Sequence, residues 1–272
     1  MISGTGLQAA DNGVPVVISR AESRTLTPMQ QVAGTLISRN DTRLAAQVEG
    51  QVVWVADVGT QLASGEAATR LDDTLVREEL AENEASILRA QASVEFSRAE
   101  LRRLEKLAEK SHAAESRLDQ VRLDLAVARS ELSVARARTS RSREKLERTS
   151  IRAPFNGVVT ERFIQTGEWA DAGTAVVRLV DTTALEVQAW VPVVMLPYIQ
   201  SGMVLDFSAN ATEGSGRVRT LVPVGDRQSR LYEVRLAVDA DGWSSGQGVR
   251  ISIPTAESRT ATVVPRDALV MR

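Results

Sequence analysis

The sequence predicts a mixed α and β, elongated multidomain chain in which a long antiparallel helical hairpin is inserted between two β half-motifs. Three observations lead there. Residues from about Asp73 to Ser150 contain neither Gly nor Pro and carry two heptad stripes in different registers. Two Gly-marked β segments of matching spacing flank that block. More strand-like sequence follows the second segment, as in Leu185-Glu-Val-Gln-Ala-Trp-Val191 and Tyr232-Glu-Val-Arg-Leu-Ala-Val238.

Composition narrows the function classes. At 272 residues the chain is long for one domain and short for three ordinary ones. Its 43% apolar and 25% charged residues exclude a wholly disordered chain, and 4% aromatics are too few for one large aromatic core. A net charge of −2 supplies no basic field, so no nucleic-acid partner is expected. The absence of Cys excludes disulfides, thiolate metal sites and a Cys nucleophile. A single His, His112, leaves little material for a His-based metal site or a Ser-His-Asp triad. No catalytic, metal or cofactor residues are therefore assigned. No run approaches the roughly 18 apolar residues that cross a bilayer. Met1–Asp11 lacks a basic region followed by an apolar run, so no signal peptide is visible. The closing run 263–272 reads as a strand continuing past the last residue, and both ends are expected to be cut short.

In the central block, Leu80, Ile87, Val94 and Leu101 recur every seven residues, and Ala90, Leu104 and Ala108 add to the seam. Leu118, Leu125, Leu132 and Leu146 repeat with the same period, with Thr139 in the gap. Val121, Ala128, Ala135 and Ser142 take the second seam position. Leu101 and Leu118 are seventeen apart, which is not a multiple of seven. The break near 110–114 reads as a tight turn between antiparallel helices, with Ser111 as the second N-cap. Each arm spans about 54 Å at 1.5 Å per residue. Small seam residues permit close approach but bury little, which predicts a soft second arm near Thr139 and Ser142. Taken alone, such a block is equally a spacer or a dimerisation coil; the flanks decide.

The flanks match. Gly59, Gly65 and Leu71 have the same spacing as Gly167, Gly173 and Leu179. Gly50 to Gly59 is one residue shorter than Gly157 to Gly167, a difference that a turn or bulge absorbs. Alternating Val, Ile, Trp and Phe between glycine turns is hairpin chemistry, and the glycines supply positive φ. One short β unit cannot bury its own face, but two copies can bury each other's. The half-motifs are thus expected to close into one β-sandwich at the root of the hairpin.

Several residues invite sharper readings that the sequence does not favour. Asp72-Asp73 and Glu78-Glu79 open the first helix, where negative charge suits the dipole better than a carboxylate active site. His112 sits at the predicted turn as an exposed polar residue. Trp54, Trp169, Trp190 and Trp243 lie in β segments and read as core. Arg217 and Arg219 read as a solvated strand face. Val193–Gln200 reads as a turn or two of helix before Gly202.

The motifs Val48-Glu-Gly-Gln-Val-Val52, Gly59-Thr-Gln-Leu-Ala-Ser-Gly65, Arg70-Leu-Asp72, Ile151-Arg-Ala-Pro-Phe-Asn-Gly-Val-Val159 and Val264-Pro-Arg-Asp-Ala-Leu269 surround the heptad block in a specific order. In that order the sequence resembles the periplasmic adaptor (membrane fusion, HlyD-like) proteins of tripartite efflux pumps and type I secretion systems, from about Val14 to Arg272. The resemblance implies four nested modules. A split lipoyl-like domain takes 46–72 and 150–181, and the coiled-coil hairpin takes 73–149. A β-barrel takes 29–45 and 182–253. A partial membrane-proximal domain takes 1–28 and 254–272.

The resemblance also implies a channel-docking site at the hairpin tip: an Arg, a Leu four residues on, and a small residue, commonly Ser, seven further on. Here these are Arg103, Leu107 and Ala114, followed by Asp119. Arg103 and Leu107 share a helix face, where Arg offers forked donors and Leu an apolar knob. Ala114 in place of Ser removes a hydroxyl. Gly50, Gly59, Gly65, Gly157, Gly167 and Gly173 are the implied structural turns of the lipoyl-like domain.

The implied function is a non-enzymatic adaptor in the Gram-negative periplasm, attached to the inner membrane through a missing N-terminal anchor. Its implied partners are an inner-membrane transporter, an outer-membrane channel and further copies of itself, as a hexamer or trimer of dimers. A resistance-nodulation-division pump is favoured over an ABC exporter or secretion system by the short hairpin and the tip motif. Rival readings are a biotin or lipoate carrier and a cytoplasmic coiled-coil scaffold. Carriers use a Lys at a hairpin tip, whereas Lys106, Lys110 and Lys145 all fall in the helical block.

Overall fold

A computed structural model describes residues 20–108, 115–210, 212–226 and 229–264. In chain order the elements begin with β1 (Glu22–Leu26), β2 (Met29–Ser38), β3 (Asp41–Ala45), β4 (Gly50–Val55), β5 (Gln61–Leu62) and β6 (Ala67–Leu71). Two long helices follow, α1 (Thr74–Ala108) and α2 (Glu115–Arg148). Then come β7 (Ser150–Arg152), β8 (Gly157–Arg162), β9 (Trp169–Ala170), β10 (Ala175–Val180), β11 (Leu185–Pro192) and a 3₁₀ helix at Val193–Tyr198. The chain continues through β12 (Val204–Ala209), β13 (Thr212–Leu221), β14 (Leu231–Val238), β15 (Gly248–Pro254) and β16 (Arg259–Val263). The described residues divide into two compact units, one made of Leu36–Glu186 with Val238–Gly246, the other of the remainder.

The first unit contains a sandwich of two four-stranded sheets, ordered β3-β10-β8-β5 and β7-β6-β4-β9. Each sheet mixes strands from before and after the helices, so neither half-motif has a sheet of its own. Alternation along the strands sends Leu44, Val52, Leu62 and Leu71 of the first half against Ile151, Val159, Val177 and Leu179 of the second. Burying side chains of this size contributes about 1.5–3 kcal/mol each, and neither half could do so alone.

The halves are related residue for residue. Ala46 exchanges backbone hydrogen bonds with Gly173 and Thr174, as Ala153 does with Gly65 and Glu66. Both halves carry a bulge at the same place: Val53 is skipped between Val52↔Leu71 and Trp54↔Arg70, and Thr160 between Leu179↔Val159 and Arg178↔Glu161. The extra residue of the second half therefore lies beyond these bulges. Ala56 and Phe163 make equivalent bonds, to Ala68 and Val176, and so do Asp57 and Gln165 as turn acceptors. Ile164, buried in the core, is the added residue.

The correspondence corrects one expected boundary. Residues 41–45, assigned to the barrel by sequence, form β3 of the sandwich, with Arg43 paired to Arg178 and Leu44 to Val177. Leu44 is the counterpart of Ile151, and it packs in the same core. Burial of that side chain holds the segment in the sandwich.

The second unit holds the closed barrel, with strand order β11-β14-β13-β12-β15-β2. Alternation is plain in β12, where Leu205, Phe207 and Ala209 are buried and Val204 and Asp206 exposed, and in β15, where Val249, Ile251 and Ile253 are buried and Gly248 and Arg250 exposed. A closed sheet of this kind leaves no free edge. The 3₁₀ helix buries Met195 and ends ahead of Gly202. β1 pairs β16 as a separate two-stranded ribbon, from Glu22↔Val263 to Leu26↔Arg259. Residues 1–19 and 265–272, the rest of the expected membrane-proximal domain, lie outside the described residues.

Candidate functional site

The helical pair is the element with chemistry to offer, and its seam is written in its burial. Along α2 from Arg117 to Arg148, the residues not exposed to solvent are Leu118, Val121, Leu125, Ala128, Leu132, Ala135, Thr139, Ser142 and Leu146. That three-four spacing is one stripe of a helix facing a partner. On α1 the matching stripe runs through Leu80, Asn83, Ile87, Ala90, Val94, Leu101 and Leu104. Val94 packs with Leu125 and Ala128, and Leu101 and Leu132 join them.

Polar contacts fix the antiparallel register. Glu84 pairs with Arg143 at 2.9 Å and Glu79 with Lys145 at 3.0 Å. Between them Asn83 Nδ2 donates to Ser142 Oγ at 2.8 Å, and Ser142 Oγ donates to Glu79 Oε1 at 3.3 Å. Lys145 and Ser142 hold the Glu79 carboxyl below its ordinary pKa. Thr139 Oγ1 donates back to the Ala135 carbonyl at 3.0 Å. The expected weak stretch of the second arm is thus spanned by satisfied polar groups, and Asn83 is the residue that supplies the bridge.

At the root, Asp72 Oδ1 accepts from the Thr74 amide at 3.0 Å and from the Thr74 hydroxyl at 2.6 Å, turning the chain from β6 into α1. Asp73 holds Arg77 through two hydrogen bonds of 2.8 and 2.7 Å. The hydrogen bonds from Thr74 and from Arg77 lower these two carboxyls respectively. Glu79 reaches across to α2 and does not serve the helix start, contrary to the role read for it in sequence.

At the other end, Arg103 projects into solvent and donates to Glu100 at 2.9 Å within its own helix. Surface pairs of this kind contribute about 0.5 kcal/mol or less, so the guanidinium is easily exchanged to another acceptor. Leu107 is 59% exposed. Asp119 faces Arg122 at 3.4 Å on α2. Counted from Glu84–Arg143, Arg103 is level with Asp124, and among the described residues no bond joins Arg103 to Asp119. Ala114, Ser111 and His112 lie outside the described residues.

The six glycines divide by role. Gly59, Gly65, Gly167 and Gly173 have φ of 89°, 85°, 93° and 94°. Gly50 and Gly157 are not turn residues; they open β4 and β8. Gly157 is required by space, since a Cβ there would lie 2.7 Å from the Val180 carbonyl oxygen.

The tryptophans differ from expectation. Trp54, Trp169 and Trp190 are 41%, 62% and 43% exposed, on outer strand faces. The bulge at Val53 turns Trp54 outward, where Arg70 stacks on it at 5.6 Å. Arg217 is not simply solvated: it donates to the Gly202 carbonyl at 3.0 Å. Sequence also missed a set of exposed apolar residues on the helices, including Phe96, Val127 and Val134. The signal was there, as apolar residues outside both heptad stripes. Among the described residues there is no cluster of three metal-ligating side chains, and no helix is long and apolar enough to cross a membrane.

No family model matches the chain. The nodulation protein NolF of Rhizobium meliloti (strain 1021) is 23% identical over 245 residues, covering 87% of this chain and 67% of NolF. Among solved structures, MacA from Actinobacillus actinomycetemcomitans superposes with a TM-score of 0.68 at 16% identity, over 91% of this chain and 83% of that one. The membrane fusion protein Spr0693 from Streptococcus pneumoniae R6 gives 0.65 at 15% identity, over 84% of this chain and all of that one. The chain shares the fold of MacA and of the membrane fusion protein Spr0693.

Proposed function

We propose that the chain is a non-enzymatic periplasmic adaptor that links an inner-membrane export transporter to an outer-membrane channel. The observation that carries this reading is the placement of the helices. A packed antiparallel pair about 50 Å long grows from a two-half sandwich and ends in an exposed Arg103 and Leu107. Such a pair reaches far while its root stays anchored in a β core. Arg103 and Leu107, with Ala114 and Asp119, form the docking end: forked donors for backbone carbonyls, and an apolar knob for a groove. The barrel and the β1–β16 ribbon serve the transporter side, and an N-terminal anchor holds the protein at the inner membrane of a Gram-negative cell. Copies assemble as a hexamer or trimer of dimers.

A resistance-nodulation-division pump is the preferred transporter, and an ABC exporter or secretion system the alternative. The two separate by energy source, since a protonophore stops export through the first and leaves ATP-driven export running. A lipoate or biotin carrier is disfavoured by the lysines. Lys145 is committed to Glu79, and the sandwich turns at Gly59 and Gly167 contain no Lys.

The test is Leu107→Asp in a strain deleted for its own copy, scored by tolerance to a panel of exported drugs. Export is lost while thermal unfolding is unchanged, because Leu107 is exposed and remote from the β core. Full tolerance in that strain would show that this end does not dock.

A further inference from the structure

Charge is unbalanced along one flank of the helical pair. Glu84 and Arg143 bridge the seam on that flank at 2.9 Å. Heptad steps from this pair set Gln91 opposite Arg136, and then Arg98 opposite Arg129. Arg98, Arg129 and Arg136 are exposed, and none has an ion pair among the described residues. Arg129 and Arg136 have no carboxylate three or four residues away on α2. Glu95 lies one turn before Arg98, but among the described residues no ion pair joins them. Opposed positions along a helical pair commonly carry opposite charges, and like charges there cost stability. Two facing guanidinium groups, with a third about 10 Å further along the helix, are therefore a local conflict. Such conflicts are expected where a site serves a ligand.

The residues on this stretch define the ligand. Gln91, Arg98, Arg129 and Arg136 offer no apolar side chain, so a further helix has nothing to bury against them. The attraction is one of charge, for a ligand that stays in water. Guanidinium groups donate in forks that match oxyanions. A carboxylate brings one charge and two oxygens. A phosphate monoester brings about 1.5–2 negative charges at neutral pH and three acceptor oxygens, enough to accept from Arg98 and Arg129 together and to cancel their repulsion.

We propose that Arg98, Arg129 and Arg136 form a binding site for a ligand that bears phosphate monoesters, one held between Arg98 and Arg129 and a second at Arg136. Neither bridging nor the way in which copies associate bears on this site.

Calorimetric titration of the full-length chain at low salt tests the site, with inositol hexakisphosphate as the soluble phosphate probe and hexaglutamate as the carboxylate probe. The native chain is expected to bind the hexakisphosphate, and less tightly as salt is added. Arg98→Gln and Arg129→Gln each weaken binding about tenfold or more. Arg141→Gln removes the same charge from an exposed position off this flank and leaves binding unchanged. Arg129→Glu abolishes binding without lowering the thermal midpoint, because it sets a carboxylate opposite Arg98. Phosphatidate vesicles separate the two sources of the phosphate. Retention on vesicles that is lost in Arg98→Gln and Arg129→Gln assigns the site to a lipid headgroup, and binding of the hexakisphosphate alone assigns it to a free phosphate ester; both sustain it. Absence of binding to either phosphate probe, an equal loss from Arg141→Gln, or hexaglutamate bound as tightly as the hexakisphosphate overturns it.

Discussion

The Gly59 amide donates to the carbonyl of Val159 at 2.8 Å, across 100 residues of sequence and both long helices. The reciprocal bond runs from the Gly167 amide to the carbonyl of Val52 at 2.7 Å. Each half-motif thus places its glycine turn against the central strand of the other, and the Val159 and Val52 amides return bonds to Thr60 and Glu168. The helices leave and re-enter a sandwich that exists only when both halves are present. That arrangement lets a long helical arm be carried by a small core.

Both turn glycines are held at positive φ, 89° and 93°, where an L side chain is strained. A Cβ added at either site would meet nothing within 4 Å, so the cost of substitution is backbone strain alone. Gly59→Ala and Gly167→Ala are each expected to lower stability by about 1–2 kcal/mol, read as a fall in the urea midpoint. The equivalence of the halves predicts similar losses for the two.

Gly157 is a contrasting case. Its backbone is ordinary, but an added Cβ would meet the Val180 carbonyl oxygen at 2.7 Å and Leu179 Cγ at 3.1 Å. The obstacle is backbone of β10, which cannot rotate away. Gly157→Ala is expected to cost about 1–3 kcal/mol by overpacking. Amide exchange should quicken in β8 and β10 first.

The polar bridge of the helix seam gives a local prediction. Asn83→Ala removes the donor to Ser142 and leaves that buried hydroxyl with the longer Glu79 contact alone. Removing one partner of a part-buried bond costs about 1 kcal/mol. Faster amide exchange is expected in α1 and α2 around residues 83 and 142, with the sandwich strands unchanged.

How much of this was legible beforehand depends on the residue. The helices were readable because seam residues obey a period that survives any context: Leu118 to Leu146 named the buried face of α2. The glycine spacing gave the two halves away. The first strand of the sandwich was missed because Leu44 and Ala46 match Ile151 and Ala153 only once the bonding pattern is known. Trp54 was misread as core because a bulge at Val53 reverses which face it takes, and no residue type announces a bulge. Arg103 and Leu107 were picked out by resemblance; the helix pattern alone says only that they face outward.

Asp181 is one source of acid sensitivity. Burial pushes its carboxyl up, but hydrogen bonds from Asn40 Nδ2 at 2.9 Å, Thr183 Oγ1 at 2.7 Å and the amides of Thr183 and Ala184 outweigh that and hold it below its ordinary value of 3.8. A depressed folded value means that the unfolded chain takes up the proton first as pH falls. The stabilisation is therefore complete above the ordinary value, and it fades as pH drops through it towards the folded one. Asp181→Asn is expected to lose about 1–3 kcal/mol at neutral pH. Its urea midpoint should fall less steeply than the native one on going from about pH 5 to pH 3.

Bridging is the central claim, and crosslinking in living cells tests it most directly. A photo-activated thiol reagent on Leu107→Cys, in a chain with no other Cys, is expected to yield an adduct with an outer-membrane channel protein. The same reagent on Val58→Cys, exposed on the sandwich, should yield none. A channel adduct from both positions, or from neither while the protein is present at native level, would contradict the account.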